Sequence, residues 1–200
     1  HYAGEPDSEH LIEGGEGDDY IYGDLGFDHV DGGGGDDHIY TYAGDEDIAG
    51  GAGDDIIEAG PGSEQIDGGA GNDYIDARSG EDAPGEAGSM HYVHAGDGDD
   101  EVYTDHGDDE VHGGAGNDLI HAYDGINEIT GGDGNDTIVS GNGPDTIESG
   151  GGDDHITSGD NIDLIYAGEG DDVIYSQSGD DEIYAEAGDD VINSGSWHDL

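Results

Sequence analysis

The sequence predicts an all-β solenoid, a parallel β-roll in which two parallel sheets face each other across a thin core and two nine-residue rows complete one rung. Three observations carry this prediction. Rows of nine residues, set from Glu5, align without insertion to Asn193 and make 21 full rows. Position 8 of the row is Ile or Val in every row but one, where it is Pro84. Position 4 is Gly in 18 rows and position 6 is Asp in 16. Self-similarity at a fixed short period marks an architecture in which each unit touches only its neighbours.

Each column has a physical reason. Positions 7 to 9 read as a short strand, because side chains alternate faces along a strand and position 8 then points inward. β-Branched Ile and Val suit that pleated, buried site. Positions 1 to 6 read as a turn. Glycine there permits backbone angles closed to other residues and lets carbonyl oxygens come close to an ion. One row turns the chain once, so the chain returns to the same edge after two. Stacked at about 4.8 Å, about 11 rungs make a rod on the order of 50 Å long.

Composition narrows the function. The chain carries 54 Asp and Glu against a single basic residue, Arg78, for a net charge of -53. Nucleic-acid binding needs Lys and Arg to neutralise phosphates, so it is excluded. Anionic membranes and anionic polysaccharides are disfavoured on the same ground, and no apolar run reaches the roughly 20 residues of a membrane span. There is no cysteine, so no disulfide framework holds the chain. A core one residue wide does not offset the entropy of ordering so polar a chain, and carboxylate repulsion opposes folding further. Either the chain is unfolded or something strongly cationic binds it.

The rows GGEGDDYIY from Gly14, GGAGNDYID from Gly68, GGAGNDLIH from Gly113 and GGDGNDTIV from Gly131 resemble the GGxGxDxUx nonapeptide of RTX (repeat-in-toxin) proteins. The resemblance covers essentially the whole chain. It implies one continuous parallel β-roll over residues 1–200, with Ca²⁺ seated between stacked turns and held by position-6 aspartates and turn carbonyls. It also implies secretion by bacteria, by the type I route, into surroundings rich in calcium. Calcium suits the composition independently, since it is a hard cation taking six to eight oxygen ligands.

An unbroken 18-residue step sorts position 6 onto two edges. One edge then carries Asp19, Asp37, Asp55, Asp73, His91, Asp109, Asn127, Asp145, Asp163, Asp181 and Asp199. The other carries His10, Asp28, Glu46, Glu64, Asp82, Asp100, Asp118, Asp136, Asp154, Asp172 and Asp190. By analogy with the family, adjacent Asp–Asp pairs give about a dozen calcium sites. His10, His91 and Asn127 weaken their turns, and Glu46 and Glu64 add a methylene that distorts theirs. On this reading the calcium-rich edge changes side near Glu81–His91, where Pro84 cannot donate to a sheet ladder and an irregular turn is expected.

Other features take simpler readings. The second acids at position 5, such as Asp18, Asp36, Asp54 and Asp180, are expected to face solvent. Tyr22 and Tyr40 stand two rows apart, as do Tyr166 and Tyr184, and are expected to pack across strands. His94 and His112 fall on neighbouring rungs of one outer face, but two histidines without a third ligand make a poor metal site. No nucleophile elbow, zinc-protease motif or phosphate loop is present, so no enzyme is expected. The expected function is a secreted, calcium-loaded structural module or spacer. The alternatives are an end-to-end self-assembling filament and an accessory domain of a secreted hydrolase. Because the chain begins and ends inside a row, it reads as a fragment of a larger protein, a stacking subunit or an engineered array.

Overall fold

Alternation along the row decides what points inward. With position 8 inside, positions 6 and 1 on either side of it share that face. The computed structural model, which describes residues 8–78 and 89–195, follows this rule. Among the described residues, the position-8 column from Val30 to Ile174 is at most 1% exposed. Position 1 lies on the same inner face, where Ala77, Ala95, Ala122 and Ala167 are buried beside Thr104, Ser140, Ser149 and Ser158. The sequence reading placed position 1 in the turn. Its restriction to small residues in almost every row was the overlooked sign that it sits in the core. Two of the hydroxyls there are satisfied along the rod: Ser140 Oγ donates to the Ser158 carbonyl at 2.8 Å and Ser149 Oγ to the Ala167 carbonyl at 2.7 Å.

Two ten-stranded parallel sheets result. One takes Ser8–Glu16, Gly26–Gly34, Asp47–Ala52, Gln65–Ala70, Tyr92–Asp97, Glu110–Ala115, Glu128–Asp133, Thr146–Gly151, Leu164–Glu169 and Glu182–Tyr184. The other takes three-residue strands throughout, from Tyr20–Tyr22 to Val191–Asn193. The sheets are therefore unequal. In the first, strands run past position 9 into the glycine pair that opens the next turn, as in the partners Gly51↔Gly69. Gly51 has φ +117°, and a side chain at that point would meet the Gly33 carbonyl. Only glycine satisfies both the backbone angle and the close stacking. No helix among the described residues is long and apolar enough to cross a membrane.

The register changes once. Strand partners are two rows apart on both sides of the middle, as in Asp47↔Gln65 and Glu101↔Leu119. At the middle they are three rows apart: Gln65 pairs with Tyr92 and Tyr74 with Glu101. The step between partners there is thus one row longer than elsewhere among the described residues. The irregular turn expected near Glu81–His91 falls largely on residues outside the described ones, as does Pro84. Arg78 closes the described part of this passage. Its guanidinium grips Asp76, with Nε to Oδ1 at 2.7 Å and Nη2 to Oδ2 at 2.6 Å, and its Cζ lies 4.9 Å from the Tyr103 ring centroid.

The register makes a specific prediction. Removing the nine residues Ser79–Ala87 joins Arg78 to Gly88, so that two residues link position 1 (Ala77) to position 4 (Ser89), as in every ordinary row. The shortened chain should keep its β-sheet circular dichroism, and its stability in calcium to within about 1 kcal/mol, because loop length alone changes closure entropy little. A collapse of the midpoint would show that this segment holds the two halves together.

Candidate metal centres along the two turn edges

The three-row step reassigns the edges. Asp73 is followed on its edge by Asp100, whose Oδ1 accepts the Asp73 amide at 2.8 Å, and Glu64 is followed by His91. The edge lists drawn from an unbroken two-row step are therefore wrong beyond residue 73. One edge is uniform from end to end: Asp19, Asp37, Asp55, Asp73, Asp100, Asp118, Asp136, Asp154, Asp172 and Asp190. The other collects every departure. It runs His10, Asp28, Glu46, Glu64, His91, Asp109, Asn127, Asp145, Asp163 and Asp181. The edge of unbroken aspartates does not change side. Asp82 and Asp199 lie outside the described residues.

On the uniform edge the carboxylates from Asp37 to Asp190 are used in the same way. One oxygen accepts the position-6 amide of the rung before, at 2.8–3.0 Å, as Asp55 Oδ1 does from Asp37 and Asp190 Oδ1 from Asp172. The other oxygen is buried and has no hydrogen-bond partner at Asp37, Asp55, Asp73, Asp100, Asp118, Asp136, Asp154 and Asp172. The variable edge repeats this at Asp109, Asp145, Asp163 and Asp181. A buried acceptor without a donor costs about 1–3 kcal/mol, more when charged, so an array of them is not a resting arrangement for a polypeptide alone. What is missing is positive charge. A column of inward carboxylate oxygens, stacked against glycine-lined turns, fits a hard divalent cation.

Position 5 forms a second column, whose acids the sequence reading expected to face solvent. Its side chains are exposed, but beside the uniform edge those from Asp18 to Asp171 each accept an amide from the rung that follows: Asp54 N–H donates to Asp36 Oδ1 at 3.0 Å and Asn72 N–H to Asp54 Oδ1 at 2.8 Å. The two columns reach in opposite directions along the rod.

Burial dominates the acid–base behaviour of the inward column. It pushes the carboxyls of Asp73, Asp118 and Asp163 up to about 7, and those of Asp55, Asp136 and Asp145 up to about 6. Glu46 and Glu64, stacked with Glu46 N–H on Glu64 Oε2 at 2.9 Å, are raised by burial too. An acid whose pKa rises on folding binds protons more tightly when folded. Its stabilising contribution is complete below the unfolded value near 4 and is lost as pH climbs through 6 to 7. Metal-depleted chain should therefore gain β-sheet signal on acidification from pH 8 to pH 5, whereas calcium affinity should fall over the same range. Circular dichroism of metal-depleted protein, with a calcium titration at each pH, checks both signs; parallel trends would contradict the assignment.

A family model for the RTX calcium-binding nonapeptide repeat (4 copies) matches overlapping stretches that together span residues 13–83 and 92–196. The chain belongs to that family. Its fold is the RTX β-roll, and the module it forms binds calcium. The RTX matches break between 83 and 92, where the register steps by three rows. No curated protein matches the chain significantly.

The outer faces are simpler. Tyr166 and Tyr184 stack at 4.9 Å with an interplanar angle of 6°, and Tyr22 and Tyr40 lie 6.4 Å apart. His94 and His112 are direct strand partners with ring centroids 6.3 Å apart, and no three-donor group among the described residues includes either of them.

Proposed function

We propose that this RTX chain is a calcium-dependent folding module and spacer of a secreted protein. Its ions are held between successive position-6 aspartates of the uniform edge, and between Asp145, Asp163 and Asp181 on the other. The observation that carries this reading is the unbroken column of buried carboxylates, each with one oxygen spent on a backbone amide and one left over. The first oxygen ties rung to rung and the second is free for a cation, so ion binding and rung stacking become one event. Binding confined to the folded form then appears as folding free energy. The chain supplies no Lys or Arg to substitute for the ion beyond Arg78, which is engaged with Asp76.

The reading is tested by withdrawing and restoring calcium while following secondary structure, bound-ion stoichiometry and particle size together. A monodisperse species of unchanged mass that orders on calcium supports the spacer. Calcium-dependent fibres would point to self-assembly instead.

A further inference from the structure

Two columns of the repeat depart from pattern in step. Histidine occupies position 6 in two rows only, at His10 and His91. Aspartate occupies position 2 in two rows only, at Asp24 and Asp105. Each of these aspartates stands fourteen residues after one of the histidines and four residues before a position-6 aspartate, Asp28 or Asp109. The same three-residue constellation therefore occurs twice, and the fold closes it both times on the variable edge, with histidine on one rung and both aspartates on the next.

The second copy is the more enclosed. His91, Asp105 and Asp109 are 1%, 5% and 2% exposed. Their donor atoms lie within 4.8 Å of one another, with His91 Nε2 3.4 Å from Asp105 Oδ1. His91 Nε2, Asp105 Oδ1 and Asp109 Oδ2 are each buried without a hydrogen-bond partner, while Asp109 Oδ1 accepts the His91 amide at 2.8 Å. In the first copy, His10 Nδ1 stands 3.2 Å from Asp24 Oδ1 and 3.0 Å from Asp28 Oδ1. Asp24 is tied to Asp28 through its own amide, which donates to Asp28 Oδ2 at 2.8 Å.

Substituting imidazole for carboxylate removes oxygen ligands that calcium needs in number. A ring nitrogen with two carboxylates instead suits a borderline divalent ion, bound at about 2.0–2.2 Å with ligand atoms roughly 3.4 Å apart. We propose that His10–Asp24–Asp28 and His91–Asp105–Asp109 are two transition-metal sites, selective for Zn²⁺, set into a frame otherwise built for calcium. The proposal uses the calcium reading only for the folded frame.

The test takes the full chain in excess calcium, adds Zn²⁺ in small molar excess, removes unbound metal and measures both metals by emission spectroscopy alongside circular dichroism. Two zinc ions per chain should be retained, and Co²⁺ in their place should give the visible absorption of a nitrogen- and oxygen-ligated site. His91→Asp and Asp105→Gly, which restore the common residues of their columns and so keep the fold, should each remove one zinc. The double variant His10→Asp/His91→Asp should remove both. Zinc retained undiminished by the double variant would assign it to the surface histidines and overturn the proposal. Absence of zinc from a calcium-folded chain would do the same. A chain that holds two variant-sensitive zinc ions but shows no calcium-dependent order would overturn the calcium reading and leave this one standing. Loss of both would overturn both.

Discussion

Excess chelator should erase the β-sheet signal of this chain near neutral pH, and calcium should restore it in full. The magnitude is large because the sites are many and act together. A single site at a hundredfold excess over its Kd contributes about 2.7 kcal/mol of stability, and the uniform edge alone offers a succession of them. The opposing term is also set by the fold. Without the ion, carboxylates are buried in register from Asp37 to Asp172, each with an oxygen facing no donor. A net charge of -53 then acts at short range in a poorly solvated place. The measurement is far-ultraviolet circular dichroism with bound calcium determined on the same samples. A β spectrum that survives chelation with no bound ion would show that the Ile/Val column suffices alone.

Asp118→Ala should be among the most damaging single changes, because it strikes the uniform column near its centre. Asp118 Oδ1 accepts the Asp100 amide at 2.9 Å, and its own amide donates to Asp136 Oδ1 at 2.9 Å. Truncation leaves a buried N–H without an acceptor, at a cost of about 1–3 kcal/mol. It also strips a carboxylate from the turns above and below, so two neighbouring ions should be lost or weakened, for a total on the order of 3 kcal/mol or more in calcium. Asp118→Asn keeps an acceptor oxygen but not the charge. It should preserve the hydrogen bond and still release calcium, which separates the ladder role from the ion role. Asp99→Ala, beside Asp100 on the preceding rung and exposed, should cost less than about 1 kcal/mol of stability. Equal calcium content and equal midpoints for Asp118→Ala and Asp99→Ala would contradict the placement of the ions.

The nine-residue register made the sheets, the Ile/Val column and the turn aspartates legible before any coordinates. The edges were not legible from that register, and the reason is arithmetic. A period of nine does not say which of two edges a row belongs to, and a step of three rows in place of two leaves the frame intact. The sign was present in another column. Gly-Gly turn openings step by two rows from Gly14 through Gly32 and Gly50 to Gly68, whereas Gly113 lies five rows beyond Gly68, an odd number. The position-2 aspartates were passed over for a similar reason. Asp24 and Asp105 look like stray acids in an acidic chain until the fold sets each against a histidine from the rung before.

The opposed carboxylate columns bear on mechanics. Position 6 accepts from the preceding rung and position 5 from the following one, so twisting a rung about the long axis in either sense stretches bonds in one column or the other. The isoleucine stack offers no such directional resistance, since dispersion contacts tolerate small slips. Torsional stiffness in this molecule therefore resides at the rim of the shaft and not at its middle.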